Sequence, residues 1–352
     1  MLRLEAAEGF NQTDTVLLEQ ADLHCSRCGA RLTLAESLRN LAQTGAGPDE
    51  LCLSCREAEG IASGTHDTRS DLRRPLDDPM IGRRFGVYEI ESFAGEGASG
   101  VVYRARHRIL NEIRALKVLR PNYAKDERKV RRFFQGVQAA TRLSHPSIVK
   151  VFDANELDGH FFATMEFVRG VTLDRAIRAK NSLHWRLVAA IGASVASGLE
   201  HAQSKHVIHR DLKPANIVLA RGGVVKISDF GLAKTLDVET QSLTKEAEVF
   251  GTLSYMSPEQ LRSSRTADHR SDLYSLGSTL YHSLTGMRPF EIEDEPISSL
   301  VQKVTSEPAT PILFLNPDVP DGLVEIVGRL MAKDPADRYQ TSADLLKDLA
   351  RL

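Results

Sequence analysis

The sequence predicts an α+β fold of two lobes, strand-rich first and helical afterwards, with a small cysteine-bearing unit in front. Three observations carry this expectation. Strand-like runs cluster between Phe85 and Phe167, helical periodicity dominates after Leu173, and all 4 cysteines fall between Cys25 and Cys55. Runs of strands followed by runs of helices favour segregated layers over an alternating α/β sheet. A chain of 352 residues has room for two or three folded units.

The first unit is assigned to residues 1–56. Cys25-Ser-Arg-Cys28 and Cys52-Leu-Ser-Cys55 form two C-x₂-C turns with 23 residues between them. Four thiolates in such turns suit one tetrahedral Zn²⁺, and a unit this small has too little core to stand easily without metal. Two disulfides or four free thiols are the alternatives. The pattern resembles a zinc ribbon with a structural Zn²⁺. Its role is open between docking of a protein partner, nucleic-acid contact, and redox or metal sensing that tunes the rest of the chain. Protein docking is favoured because the segment's Arg residues are matched by acids. Residues 57–84 are rich in Gly, Ser, Thr, Asp and Arg and include Pro75 and Pro79, so they read as a linker.

The third unit is assigned to 85–352, its strand-rich lobe to about 168 and its helical lobe from about 169. Phe85–Phe93, Val101–Ala105 and Ile113–Leu119 alternate like strands. Helical periodicity runs from Asp126 to Leu143, and Val149–Phe152 and Phe161–Phe167 read as further strands. Beyond Leu173 only Ile217–Leu219 and Val224–Ile227 interrupt the helical pattern.

Composition excludes several function classes. Lys+Arg 45 against Asp+Glu 47 gives a net charge of -2, with no protein-wide electrostatic footprint for nucleic acid. No run of about 18 apolar residues suggests a membrane segment, and Glu5, Glu8 and Asp14 argue against a secretory leader. The expected compartment is the cytoplasm.

The chemistry lies in the third unit. Gly95-Glu-Gly97-Ala-Ser-Gly100-Val-Val102 fits G-x-G-x-x-G-x-V. Three glycines also make an ordinary hairpin turn, but missing side chains let backbone N–H groups approach phosphates. A β-like run follows rather than a helix, which favours a flap over a nucleotide. Lys117 comes 17 positions after Gly100 and could hold two phosphates. In His209-Arg-Asp-Leu-Lys-Pro-Ala-Asn216, Asp211 can accept a proton from a hydroxyl. Lys213 can neutralise a transferred phosphoryl group, and Asn216 can offer an oxygen to Mg²⁺. Asp229, in Ser-Asp-Phe-Gly, adds a carboxylate able to bridge Mg²⁺ to phosphates.

In that order these motifs resemble the protein kinase domain, most closely the bacterial serine/threonine kinases of eukaryotic-like type. Gly251-Thr-Leu-Ser-Tyr-Met-Ser-Pro-Glu259 is similar to the family's peptide-docking segment, and Asp272-Leu-Tyr-Ser-Leu-Gly277 to a family helix. Asp334-Pro-Ala-Asp-Arg338 is similar to its late arginine segment. The resemblance implies a protein-kinase-like fold and transfer of the γ-phosphoryl of ATP to Ser/Thr of protein substrates. Mg²⁺ is the implied cofactor, with Mn²⁺ as the alternative. It implies that Gly95, Gly97 and Gly100 cover the phosphates and that Val102 and Ala115 flank the adenine. Met165 falls at the gatekeeper place, Glu166 to Val168 at the adenine hinge, and Thr252 beside the catalytic Asp211. A Glu259–Arg338 ion pair is implied. Arg210 could grip a phosphorylated loop, with Ser242 and Thr244 as the phosphorylation sites.

One position breaks the pattern. The family's helix glutamate, partner of the strand lysine, aligns with Gly136. A neighbouring Gln135 or Gln138 could substitute, the kinase could depend on a partner to order the helix, or the chain could be a pseudokinase scaffold that binds nucleotide without turnover. Ala94 is a smaller departure, standing where a bulkier residue usually roofs the adenine.

Overall fold

A computed structural model describes residues 23–24, 31–32, 36–37, 78–97, 99–221, 223–230, 251–263, 267–292 and 295–352. The four cysteines lie outside these residues, as do Ser242 and Thr244. Of the first unit, β1 (Leu23–His24) pairs antiparallel with β2 (Arg31–Leu32).

The strand-rich lobe is one antiparallel sheet of six strands: β3 (Arg84–Phe85), β4 (Tyr88–Glu96), β5 (Gly100–His107), β6 (Glu112–Leu119), β7 (Val151–Leu157) and β8 (His160–Glu166). Their spatial order is β3-β4-β5-β6-β8-β7. Alternation sends Tyr88, Ile90, Val101, Tyr103, Leu116, Val118 and Phe162 to one face, where they form a core of their own with Phe85. Phe85 sits edge-on to Phe162 at 5.2 Å.

Two helices interrupt the sheet, α1 (Pro121–Ala124) and α2 (Glu127–Ala140). Asp126 starts α2 by accepting the N–H groups of Arg128 and Lys129, the role of a short acidic N-cap. Phe133, Gly136, Val137 and Ala140 form its buried stripe, which packs toward β7. The helix ends at Ala140, before the expected Leu143, because Thr141 turns its hydroxyl back onto the Gln138 carbonyl.

The second lobe opens on β9 (Gly170–Thr172), which joins β10 (Ile217–Ala220) and β11 (Val225–Ile227) in a small sheet ordered β11-β10-β9. Around it lie α3 (Leu173–Lys180), α4 (Trp185–Ser204), α5 (Pro258–Arg262), α6 (His269–Thr285), α7 (Ile297–Ser306), α8 (Ile312–Leu315), α9 (Asp321–Leu330) and α10 (Ser342–Leu349). Helix α4 packs on both α6 and α10. Helix α6 is buried along nearly its whole length and stops at Gly286, whose left-handed φ of 74° closes the turn. The main core runs from Ala115 and Met165 of the sheet through α2 to α4 and α6, so the two lobes share one apolar interior. Leu32 is buried in that same interior. Among the described residues, no helix is long and apolar enough to cross a membrane.

Candidate active site

The glycine-rich turn is the tip of the β4–β5 hairpin, as the missing helix signal implied. Gly95 pairs with Val102, and the Gly97 N–H donates to the Gly100 carbonyl at 2.9 Å. A Cβ on Gly100 would meet the Val118 carbonyl oxygen at 2.6 Å, so close packing against β6 excludes larger residues. Beyond Gly95 and Gly97 the space is open. Arg120 holds this tip: its guanidinium donates to the Gly97 carbonyl and to Glu96, both at 3.0 Å. Sequence reading passed over Arg120. The signal was the hairpin register, which sets Gly100 opposite Leu119 and so brings the next residue to the flap.

Lys117 stands beneath the flap on β6, opposite Val102 on one side and Ala163 on the other. Ala115 pairs with Met165, and both are buried. The Glu166 carboxylate accepts from Lys226 Nζ at 3.0 Å, and its amide donates to the Lys150 carbonyl at 2.8 Å. Val168 is half-buried against the core.

Across the cleft, the loop after α4 is fixed from below. Asp272 of α6 is buried and accepts the N–H groups of His209 at 2.7 Å and Arg210 at 2.8 Å. Burial pushes the Asp272 carboxyl above its usual range, while these two donors favour its charged form. The His209 ring pairs with the Ser228 carbonyl at 2.8 Å and sits edge-on to Phe230 at 4.6 Å. Arg210 and Asp229 both take left-handed φ values, 66° and 64°. Non-glycine residues rarely adopt that conformation, and here buried contacts on both sides hold it.

Asp211 lies at the centre. Lys213 Nζ approaches its carboxylate at 3.1 Å and also donates to Thr252 at 3.0 Å. Asn216 Nδ2 donates to the Asp211 main-chain oxygen at 2.7 Å and to its Oδ2 at 3.2 Å. That use of the amide nitrogen turns Oδ1 to the other side. Ser228 donates its N–H to the Asn216 carbonyl at 2.8 Å, which ties the loop of Asp229 to that of Asn216. Asn216 and Asp229 therefore offer hard oxygens from adjoining loops, a donor set that fits Mg²⁺.

The two halves meet at Lys117 and Asp229, whose Nζ and Oδ1 are 2.6 Å apart. Burial pushes the Asp229 carboxyl up, but the charge and hydrogen bond of Lys117, with His209 and Lys213 nearby, outweigh it and hold the carboxyl below its usual range. Gly136 lies on the buried face of α2, and Gln135 and Gln138 are exposed. Neither glutamine turns inward to replace the missing carboxylate.

Behind the loop of Asp211, the expected Glu259–Arg338 pair is present. Arg338 meets Glu259 through two bonds of 2.8 Å and also donates to the carbonyls of Ala332, Lys333 and Arg270. Burial pushes the Glu259 carboxyl up, but the hydrogen bonds from Arg338 and Ser271 hold it low. Arg210 is exposed, and its main-chain oxygen accepts from Gln260 at 3.0 Å. Among the described residues, no group of three or more His, Cys, Asp or Glu could hold a metal ion.

Comparison with known proteins agrees with this geometry. The family described as Protein kinase domain matches residues 88–348. Serine/threonine-protein kinase PrkC of Bacillus subtilis is 37% identical over 271 residues, which cover 77% of this chain and 41% of PrkC. Serine/threonine-protein kinase pkn3 of Myxococcus xanthus is 39% identical over 286 residues, 78% of this chain and 52% of pkn3. The chain thus spans about half the length of these relatives or less. The crystal structure of the Mycobacterium tuberculosis PknI kinase domain superposes with a TM-score of 0.62 at 29% identity, covering 77% of this chain and 98% of that one. The chain belongs to the protein kinase domain family, among its bacterial serine/threonine-protein kinases.

Proposed function

We propose that this chain transfers the γ-phosphoryl of ATP to serine or threonine hydroxyls of protein substrates, its own included. The observation that supports this best is the convergence of Asp211, Lys213, Asn216 and Thr252 on one hydrogen-bonded cluster, facing Lys117 and Asp229 under the glycine flap.

In this reading Gly95, Gly97 and Gly100 bring backbone close to the phosphates, while Ala115, Val102 and Met165 shape the adenine slot beside Glu166 to Val168. Asp211 orients the acceptor hydroxyl and takes its proton. The hydroxyl oxygen bonds to the γ-phosphorus as the bond to the β–γ bridging oxygen breaks, and ADP leaves. Lys213 compensates the charge on the moving group, and Thr252 fixes Lys213. Positioning and charge supply most of the catalysis in such transfers. Mg²⁺, when bound, neutralises phosphate charge, and Asn216 and Asp229 are the residues to hold it. Arg210 would receive a phosphorylated Ser242 or Thr244.

Incubation with radiolabelled ATP and Mg²⁺ tests the reading. Wild type labels itself or a generic basic protein, and Asp211→Asn lowers the rate about 10²–10⁴-fold, the usual weight of a positioned base. Equal labelling by both would remove catalysis from this site. A second reading, nucleotide binding without turnover, is favoured by Gly136. It predicts that ATP binds while no label transfers. The first unit, 1–56, remains proposed as a zinc module for a protein partner. Near-stoichiometric zinc, lost when Cys25 and Cys28 become serine, is its check.

A further inference from the structure

The cluster around Asp211 has a charged neighbour that the transfer reaction does not use. Lys213 bridges the Asp211 carboxylate, at 3.1 Å, and the Thr252 hydroxyl, at 3.0 Å. On the reading above, Thr252 therefore flanks the place where an acceptor hydroxyl arrives. Gly251 directly precedes it, and Arg288, from the turn between α6 and α7, lies against Gly251. A Cβ on Gly251 would sit 3.5 Å from an Arg288 terminal nitrogen and 3.8 Å from its guanidinium carbon. Arg288 also hydrogen-bonds Tyr255, whose hydroxyl meets His282 Nδ1 at 2.7 Å.

The charges around this shelf are one-sided. Burial, with Arg288 beside it, lowers His282 to about 4, so the ring carries no charge at neutral pH. Burial likewise keeps the Tyr255 hydroxyl protonated. The Asp174 carboxylate is matched by Arg178 at 2.7 Å. Glu291 stands 3.7 Å from Arg288, with the two side chains 49% and 36% exposed, so water and salt screen that pair and it holds Arg288 weakly. A guanidinium carries five N–H donors, so Tyr255 and Glu291 do not exhaust it. Arg210, exposed beside Asp211, adds a further cation. We propose that Arg288 selects protein segments that carry an Asp or Glu within a few residues of the acceptor serine or threonine. An extended segment advances about 3.3–3.6 Å per residue, so a side chain close to the acceptor spans the short path from Asp211 past Thr252 to Arg288. The planar fork of Arg288 matches a carboxylate at two points, and a Lys or Arg in the same place would meet like charge.

The inference rests on the proposed transfer to serine or threonine, and acceptor peptides test it with the full chain. Each peptide carries one serine and differs at a single flanking position, which holds Glu, Gln or Lys and is moved along both sides of the serine. At the position that reaches Arg288, wild type should favour Glu over Gln by about fivefold in kcat/KM, and Gln over Lys. Arg288→Gln should bring the Glu-to-Gln ratio near one, Arg288→Lys should retain part of it, and Arg288→Glu should make Lys the preferred residue. Absence of a preference at every position in wild type would overturn the inference, as would a ratio that Arg288→Gln leaves intact. Equal slowing of all three peptides would make Arg288 a brace of the docking segment only and would also overturn it. Failure to label any peptide, or the chain itself, counts against the transfer reading instead. Fluorescence anisotropy of the same peptides then reads the Glu-to-Gln ratio as a ratio of Kd values. A thermal melt of each variant shows that it is folded.

Discussion

Arg120 shows how one side chain can set the working geometry of a flap. It reaches back to the Gly97 carbonyl and the Glu96 carboxylate, both close to where phosphates would lie. Hydrogen bonds from a charged donor are among the stronger ones, though Glu96 is half exposed and its share is screened. Arg120→Ala should therefore raise the KM for ATP about three- to tenfold while kcat changes less. Steady-state kinetics at varied ATP checks this, and a pure kcat effect would contradict it. Lys213 makes a complementary case: it contacts both Asp211 and Thr252, so Thr252→Val should lower kcat with little change in the KM for ATP.

Elements show why part of the molecule was legible before any coordinates. The glycine flap, the strand bearing Lys117 and the loops of Asp211 and Asp229 follow from short-range patterns, because turn chemistry and alternation are local. Glu259 and Arg338 were paired by resemblance, and the pair forms with two matched bonds. What stayed hidden is long-range. Lys117 meeting Asp229, Lys226 meeting Glu166 and Asp272 holding two amides each depend on how distant elements pack, and no spacing in the sequence encodes that. Strand ends shifted for a similar reason: β7 begins at Val151 and extends to Leu157, past the expected Phe152, because β8 offers a partner edge that far. Packing of helices is equally specific. A Cβ on Gly277 of α6 would lie 2.7 Å from Leu330 Cβ and 2.9 Å from Met331 Cγ. Gly277→Ala should thus cost about 1–3 kcal/mol by overpacking, against the gain expected of alanine in an exposed helix. Denaturant unfolding measures it, and an unchanged or raised stability would show that α9 yields.

At the scale of the whole molecule, buried titratable groups set the pH response. Burial is the main cause that pushes His145 and His282 down to about 4, with His201 and Lys226 adding to it at His145 and Arg288 at His282. In the unfolded chain each titrates near 6.5. Between about 4 and 6.5 the unfolded state binds more protons, so stability is full above that window and falls as pH drops through it. Unfolding midpoints across the window should follow this slope, and His282→Gln should flatten it. The Glu259–Arg338 brace is the other global element. Its arginine is fully buried, so Arg338→Ala would strand Glu259 and cost about 3–5 kcal/mol, visible in a thermal melt. The brace also has a meaning in time. Its two halves lie 79 residues apart, and a ribosome adding about 5–20 residues per second needs roughly 4–16 s to make the second after the first. Until then the segment ending in Glu259 has no arginine to fix it, although the sheet and its lysine are already made. A nascent chain can thus complete its six-stranded sheet, Lys117 included, well before Arg338 arrives to fix Glu259, so the two lobes reach their final rigidity at different times.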